Sequence, residues 1–496
     1  MEEKGKNNDI SFQEENTNTE ANTTDSTTNT TMIIIKKENN NETRVSIENQ
    51  LELKKNLFPI SKKVRYFIYI IELLCLFNLD QGGISSSTKE IKSNFRMTDR
   101  ELGSFGGISF LGATLGGIFS LSIINKINRK YLILMFISII IFSLFIPTII
   151  SSKIILILSR ILTGFSQSFM SIYLPVWIDQ FGIFSKKSIM MSLISVPSAL
   201  GYLLGYILAV FTSWRATFRI NCFLSFLILI CFIFSREKYF SKSIIPKKST
   251  NSINLNDSLI KMEDNISLFE DEAINNVNYG KSSILNHAVK CFKSKLFFFS
   301  TLSLITILLI LSGIQFWMND FLENSIHILD KKERLMYFII IILITIIGAP
   351  ITAGFIMQKI GGYDSVKSIY LPFNCCIISL VFSNLLIIAS YKNLVAVLIG
   401  AYLFSGYIII SSLDGIIISS IPKEYAGSAS SISNLLYNIF GRLIGPSFYG
   451  FTRSLFGIES KFPMIILLDV KFITLICLFF CIKYKKIMNK NRYDTN

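Results

Sequence analysis

The chain has 496 residues, 51% of them hydrophobic, a formal net charge of +15 and a mean hydropathy of +0.49. Only 17% are charged, against about 25% in soluble domains, and the apolar residues gather in windows of about 20, enough to cross ~30 Å of hydrocarbon. A soluble fold is excluded, and so is a nucleic-acid binder: Lys and Arg lie at segment ends and in links, where they act as topology signals and lipid contacts.

Residues 1–62 are rich in Asn, Thr, Glu and Lys and read as a disordered cytosolic tail. No signal peptide is expected, because the first apolar stretch covers only residues 32–35. An N-terminal half, 63–235, holds six predicted spans at about 64–86, 103–124, 131–150, 154–178, 188–211 and 215–235. A polar cytosolic linker, 236–292, carries Lys247, Lys248 and the acidic run Glu270, Asp271, Glu272. A C-terminal half, 293–483, holds six more spans at about 295–318, 336–357, 367–390, 394–420, 428–452 and 462–482. A basic cytosolic tail, 484–496, ends the chain.

The expected fold is an all-α membrane protein with twelve transmembrane helices in two six-helix halves. Lys62, Lys63, Arg65, Lys126, Arg129, Lys130, Lys186, Lys187, Lys485 and Lys486 then fall on one side of the membrane. The positive-inside rule makes that side cytosolic and puts both termini there. The turns after spans 2 and 8 echo each other, Asn125-Lys126-Ile127-Asn128 beside Gln358-Lys359-Ile360-Gly361. Repeated halves are the usual build of secondary transporters, with substrate bound at the midplane.

Charges left inside the spans are the main functional signal: Glu72, Asp80, Arg160, Asp414, Arg442, Asp469 and Lys471. Each costs about 2.5–3.5 kcal/mol at the bilayer centre on insertion scales, so it survives by facing a partner or a wet path. Helix rise puts Asp80 about 6 Å and Arg160 about 9 Å from the outer edge, so a pair is expected. Its protonation at Asp80 would release Arg160 and couple proton movement to a change of state. Glu72 and Gln167 also match in depth, at about 12 and 10 Å from the inner edge, which makes Glu72 a third proton-coupling candidate: it would hydrogen-bond Gln167 and provide the intramembrane acid that Gln167 lacks. Arg160 and Gln167, seven residues apart, share one face of span 4.

In the second half, Asp414 lies near the cytoplasmic third of span 10, Arg442 and Asp469 form a candidate outer pair, and Lys471 is expected to snorkel. Asn78, Gln81, Gln167, Gln315, Trp317, Asp414 and Arg442 are the candidate substrate-path residues; Trp317 fits an interfacial anchor equally well. Asp179 with Lys126 or Arg129 is a candidate cytoplasmic gate, or else a surface ion pair of little energetic value. Gly201 and Gly205 make a small-x-x-x-small packing face. The eight cysteines show no metal or disulfide spacing, and His287 and His327 both fall in links. Neither a metal nor a cofactor is expected. No Gly-Lys-Ser/Thr phosphate loop and no Ser/His/Asp set is present, so an enzyme is not expected.

These features resemble the major facilitator superfamily, and within it the spinster-like group. The resemblance rests on Asn78-Leu79-Asp80, the run Asn128-Arg129-Lys130-Tyr131-Leu132, Arg160-x-x-x-Gly164, Pro175, Gly201-Tyr202-x-x-Gly205, and Trp214 with Arg219. Gly313-x-x-x-Trp317, Gly354–Gly362, Gly441 and Gly445-Pro446 extend it into the second half. It covers about residues 64–482. It implies alternating access and an amphipathic cargo such as a lysophospholipid or a sphingoid phosphate. The implied partners are membrane lipids, the cargo and protons; a monomer is expected, in the plasma membrane or an endolysosomal membrane. The departures matter as well. Gln81 stands where the resemblance implies Arg, Gln167 where it implies Glu, Asn125 where it implies Asp and Leu121 where it implies Gly. These changes leave open a transporter of a small polar metabolite or drug-like cation, and a non-transporting sensor or scaffold.

Overall fold

The computed structural model describes residues 60–123, 127–181, 195–237, 240, 289–422 and 426–494. The N-terminal tail up to residue 59, most of the linker, Asn125, Lys126, Lys186 and Lys187 lie outside the described residues, as do the side chains of Leu121, Pro175 and Asp179.

Six helices make the first half: α1 (Ile60–Ser86), α2 (Asp99–Ile123), α3 (Arg129–Ile149), α4 (Lys153–Phe181), α5 (Ser195–Phe211) and α6 (Trp214–Ile233). Six more make the second: α7 (Lys295–Asn324), α8 (Lys331–Lys359), α9 (Val366–Ile388), α10 (Lys392–Ser419), α11 (426–456) and α12 (Phe462–Asn489). Ten of these segments are long and apolar enough to cross a membrane. The other two are α5, a shorter apolar helix, and α11, in which a π turn over Tyr437–Arg442 interrupts two α-helical stretches. A second π turn, Leu343–Gly348, interrupts α8.

Side-chain caps set many of the helix starts. Asn128 accepts from Lys130 N at 3.0 Å, Ser213 from Ala216 N at 3.2 Å and Ser294 from Phe297 N at 3.3 Å. Asp330 accepts from Lys332 N at 3.0 Å and starts α8 five residues before its apolar window, which is why the charged turn 331–334 is helical. The turn after α8 needs φ of +97° at Gly361 and +75° at Gly362, a region that side chains rarely enter. Lys130, part of the basic turn, donates to the carbonyls of Ile233 and Ser235 at 2.8 and 2.6 Å and so closes the C-terminal end of α6.

Backbone meets backbone along a glycine seam between α1 and α5. A Cβ at Gly201 would collide with the Cys75 carbonyl, one at Gly205 with the Leu79 carbonyl, and one at Gly82 with the Tyr202 carbonyl. Small residues allow this approach, and dispersion across it supplies the attraction that lipid-solvated helices otherwise lack. Gly205→Val is expected to lower stability by about 1–3 kcal/mol or more, read as a fall in the thermal midpoint of the detergent-solubilised protein. An unchanged midpoint would show that the seam can open.

Candidate functional site

The Arg-x-x-x-Gly spacing puts Arg160 and Gly164 one turn apart on the face of α4 that meets α2. Both act on Ser109: Gly164 lies against its carbonyl, and Arg160 Nη2 donates to its hydroxyl at 3.3 Å. Arg160 Nη1 donates to Asp80 Oδ2, and both side chains are buried, at 3% and 0% exposure. Gln167, two turns further along α4, donates through Nε2 to the Phe77 carbonyl and to Asp80 Oδ1, the latter at 3.3 Å. Gln81 Nε2 in turn donates to Gln167 Oε1 at 3.4 Å. The two amides that stand where the resemblance implies opposite charges are therefore neighbours, and a neutral bond joins them. Phe105 flanks Arg160, its ring centroid 6.0 Å from the guanidinium carbon.

This cluster borders a narrow cleft between the halves. Gln81, Ser85, Arg160 and Tyr202 line it from the first half, Ser312 and Gln315 from the second. Tyr202 reaches across and donates to the Gln315 carbonyl at 2.5 Å. Asn78 is half-buried and donates back to the Leu74 carbonyl of its own helix at 2.9 Å.

Several expectations are corrected. Glu72 does not meet Gln167; it is exposed on α1, while Gln167 turns to Phe77, Asp80 and Gln81. Depth matched but direction around the helix did not. Arg442 does not pair with Asp469. It lies on the π turn of α11, its guanidinium carbon 5.1 Å from the Tyr437 ring centroid and 5.7 Å from that of Phe110, while Asp469 accepts from Ser383 Oγ at 2.8 Å. Arg442 is instead the cation whose field reaches Asp414, which is exposed near the end of α10.

Trp317 is neither at a lipid interface nor on the cleft wall. It is fully buried, donates to the Pro446 carbonyl at 2.9 Å and lies tilted against the Tyr449 ring. Lys471 does not snorkel; it is 1% exposed, with Nζ 3.5 Å from the Tyr402 ring centroid. Of the gate candidates, Arg129 opens α3, whereas Lys126 and the side chain of Asp179 lie outside the described residues.

A second polar set was not anticipated. It joins the halves at the far face, the end of the bundle opposite to the one where α1 begins. Arg453 of α11 bridges Asp99 of α2 at 2.9 Å and Asp320 of α7 at 2.8 Å, and Lys92 also holds Asp99 at 2.6 Å. Lys89 pairs with Glu323 at 2.8 Å. Asn319 donates to the Ser86 carbonyl at 3.0 Å and accepts from Tyr206 at 2.8 Å and from Arg334 at 3.0 Å. Six hydrogen bonds between the halves run from the cleft to this face. The sequence signal was present: Asp99, Asp320 and Arg453 sit at similar depth with opposite sign.

Comparison with known proteins follows the same geometry. The chain is similar to a bacterial homolog of the human lysosomal transporter Spinster, solved in an inward-facing, unoccupied conformation, with TM-score 0.66 and 12% identity over 86% of this chain and 98% of that one. It is also similar to a D-xylose-proton symporter, with TM-score 0.59 and 12% identity over 84% and 97% of the two chains. A nucleoside transporter, NupG, aligns with TM-score 0.58 and 11% identity over 84% and 99%. At these identities the likeness is one of fold. No curated protein matches the sequence. The family model of the Major Facilitator Superfamily matches residues 73–446, from within α1 to the start of the second stretch of α11. Twelve helical passes in two halves, a cleft between them and this match over residues 73–446 together place the chain in the Major Facilitator Superfamily.

Proposed function

We propose that this protein is a proton-coupled secondary transporter of an amphipathic lipid, a lysophospholipid or sphingoid phosphate, working by alternating access between its two halves. The observation that carries the reading is the Asp80–Arg160 pair, buried yet bordering the cleft between the halves. A carboxylate whose counter-charge is a single guanidinium can lose its charge to a proton, and Arg160 must then find another partner. That gives one site two arrangements, which is what coupling needs. The Lys and Arg bias supports a cytosolic assignment for the face where α1 begins, so the far-face bonds would close the outer side. The arrangement is then inward-open, in keeping with the conformation named for the Spinster homolog.

The lipid assignment rests on the spinster-like sequence features and on apolar cleft residues such as Ile84, Phe110 and Phe316. A small polar solute is the second reading. The amides of Gln81 and Gln315 favour it, and two structural neighbours are named for a sugar and for nucleosides. Protein in proteoliposomes with an imposed pH gradient separates the two. Labelled lysophosphatidylcholine is expected to accumulate only with the gradient. Gradient-driven uptake of xylose or a nucleoside, without lipid flux, would select the second reading. No flux of any of them by folded protein would favour a sensor or scaffold.

A further inference from the structure

The two faces of the bundle treat their cations differently. At the far face Lys89, Lys92, Lys392 and Arg453 each pair with an acid. At the opposite face, where α7 begins and α12 ends, Lys293, Lys295, Lys483 and Lys486 are exposed, and none makes an ion pair or a hydrogen bond with any described residue. Asp364, an acid of that face, lies in the turn before α9. That is the side of α12 on which Lys485, itself buried, donates to the Tyr363 carbonyl at 2.9 Å.

Two of these four lysines stand over rings. Lys295 lies three and four residues from Phe298 and Phe299, and Lys483 lies three and four from Phe480 and Phe479. Each ammonium therefore rises from the same helix face as a pair of rings one turn deeper. The rings also join the helices: Phe299 stacks on Phe480 at 4.8 Å and on Tyr484 at 5.7 Å between centroids. The helices run in opposite directions, so this contact brings Lys295 and Lys483 to one rim, from either side of the seam. Lys295 Nζ lies 5.3 Å from the Tyr484 ring centroid. Phe298, Phe479 and Ile487 are 44%, 58% and 47% exposed on the outer wall. Two unpaired cations thus cap an exposed apolar track that opens sideways to the lipid.

We propose that the rim of the α7–α12 seam is a binding site for an anionic phospholipid of the surrounding leaflet. Lys295 and Lys483 hold the phosphate oxygens through charge-assisted hydrogen bonds, and Phe298, Phe479 and Ile487 lie along the first carbons of the chains. Each juxtamembrane lysine strengthens attraction to anionic lipid about fivefold, or about 1 kcal/mol. Two like charges that repel across the seam are neutralised by one head group. Aromatic side chains at this depth suit the boundary between head group and hydrocarbon. This lipid belongs to the annulus and not to the cargo path, so its binding is independent of the transporter reading.

Phe298→Trp puts an indole among the exposed rings, while the native Trp177, Trp214 and Trp317 are buried. The full chain carrying it goes into phosphatidylcholine nanodiscs that hold a minor fraction of dibrominated phosphatidylserine or of dibrominated phosphatidylcholine, whose bromines quench the indole on contact. Phosphatidylserine is expected to occupy the site about tenfold or more above its share of the bilayer, and phosphatidylcholine only in proportion to its share. Lys295→Gln with Lys483→Gln is expected to lose about tenfold of that preference, and Lys295→Arg with Lys483→Arg to keep it. Lys359→Gln with Lys367→Gln removes two exposed charges of the same face away from the seam and is expected to leave the preference in place. All these side chains are exposed, so the fold should tolerate the changes. Equal quenching by the two brominated lipids overturns the proposal. So does an equal loss in the two glutamine double variants, which would show only the general field of a basic face.

Discussion

Asp80→Asn is expected to abolish gradient-driven uptake while leaving exchange across equilibrated membranes in place. Asp80 is the acidic member of a buried pair, and its carboxylate is what holds Arg160 against α1. The amide removes the proton site but keeps an acceptor, so the variant sits permanently in the state that protonation would create. A site that biases two states by ~1.4 kcal/mol changes their ratio about tenfold, and gradient-driven accumulation should fall by at least that factor. The neutralisation also leaves a guanidinium buried without its counter-charge, at a cost of about 3–5 kcal/mol. Lower thermal stability is expected to accompany the loss. Asp80→Asn with Arg160→Gln separates the two effects: stability should return and coupling should not. Full gradient-driven uptake by a folded Asp80→Asn variant would remove Asp80 from the mechanism.

Arg453→Ala is expected to open the far face. Arg453 touches acids from both halves, Asp99 from α2 and Asp320 from α7. Its removal takes away the bridge and strands the buried Asp320 carboxylate beside Tyr449. Links that remain, such as Lys89–Glu323, Asn319 to Ser86 and Tyr206 to Asn319, keep part of the seal. A shift of about 1.4–2.8 kcal/mol in the balance between the two access states would change their ratio about ten- to a hundredfold. Spin labels at Ser93 and His327, both exposed near that face, report it as a transfer of population from a short to a longer distance. Adding Asp320→Asn should recover stability without restoring the short distance. An unchanged distance distribution in Arg453→Ala would mean that the bridge does not hold the halves together.

The twelve passes were readable because apolar length and charged ends are local properties of the chain. Helix rise also brought Asp80 level with Arg160 from residue numbers alone. The same arithmetic failed for Glu72, because depth is only one of two helix coordinates. Eight residues turn an α-helix by about 80° beyond two full turns, so Asp80 facing α4 leaves Glu72 pointing elsewhere. Gln167 lies seven residues from Arg160, nearly on the same line, and does reach Asp80. Lys471 was misread because the helix break at Val470 is invisible in an apolar run, and a straight helix would have let the side chain climb to the surface. Arg453, Asp99 and Asp320 were legible as edge charges but not as partners, since three separate helices must be placed before they converge.

The glycine seam has a mechanical consequence. With backbone lodged against backbone at Gly82, Gly201 and Gly205, α1 and α5 cannot slide or roll past one another without collision. They move as one strut. That strut carries Asp80 on one helix and Tyr202 and Tyr206 on the other, and the two phenols grip Gln315 and Asn319 of the opposite half. Any tilt provoked at the acid is thereby geared to the phenols, and Tyr202 and Tyr206 must release or regain α7 in the same stroke.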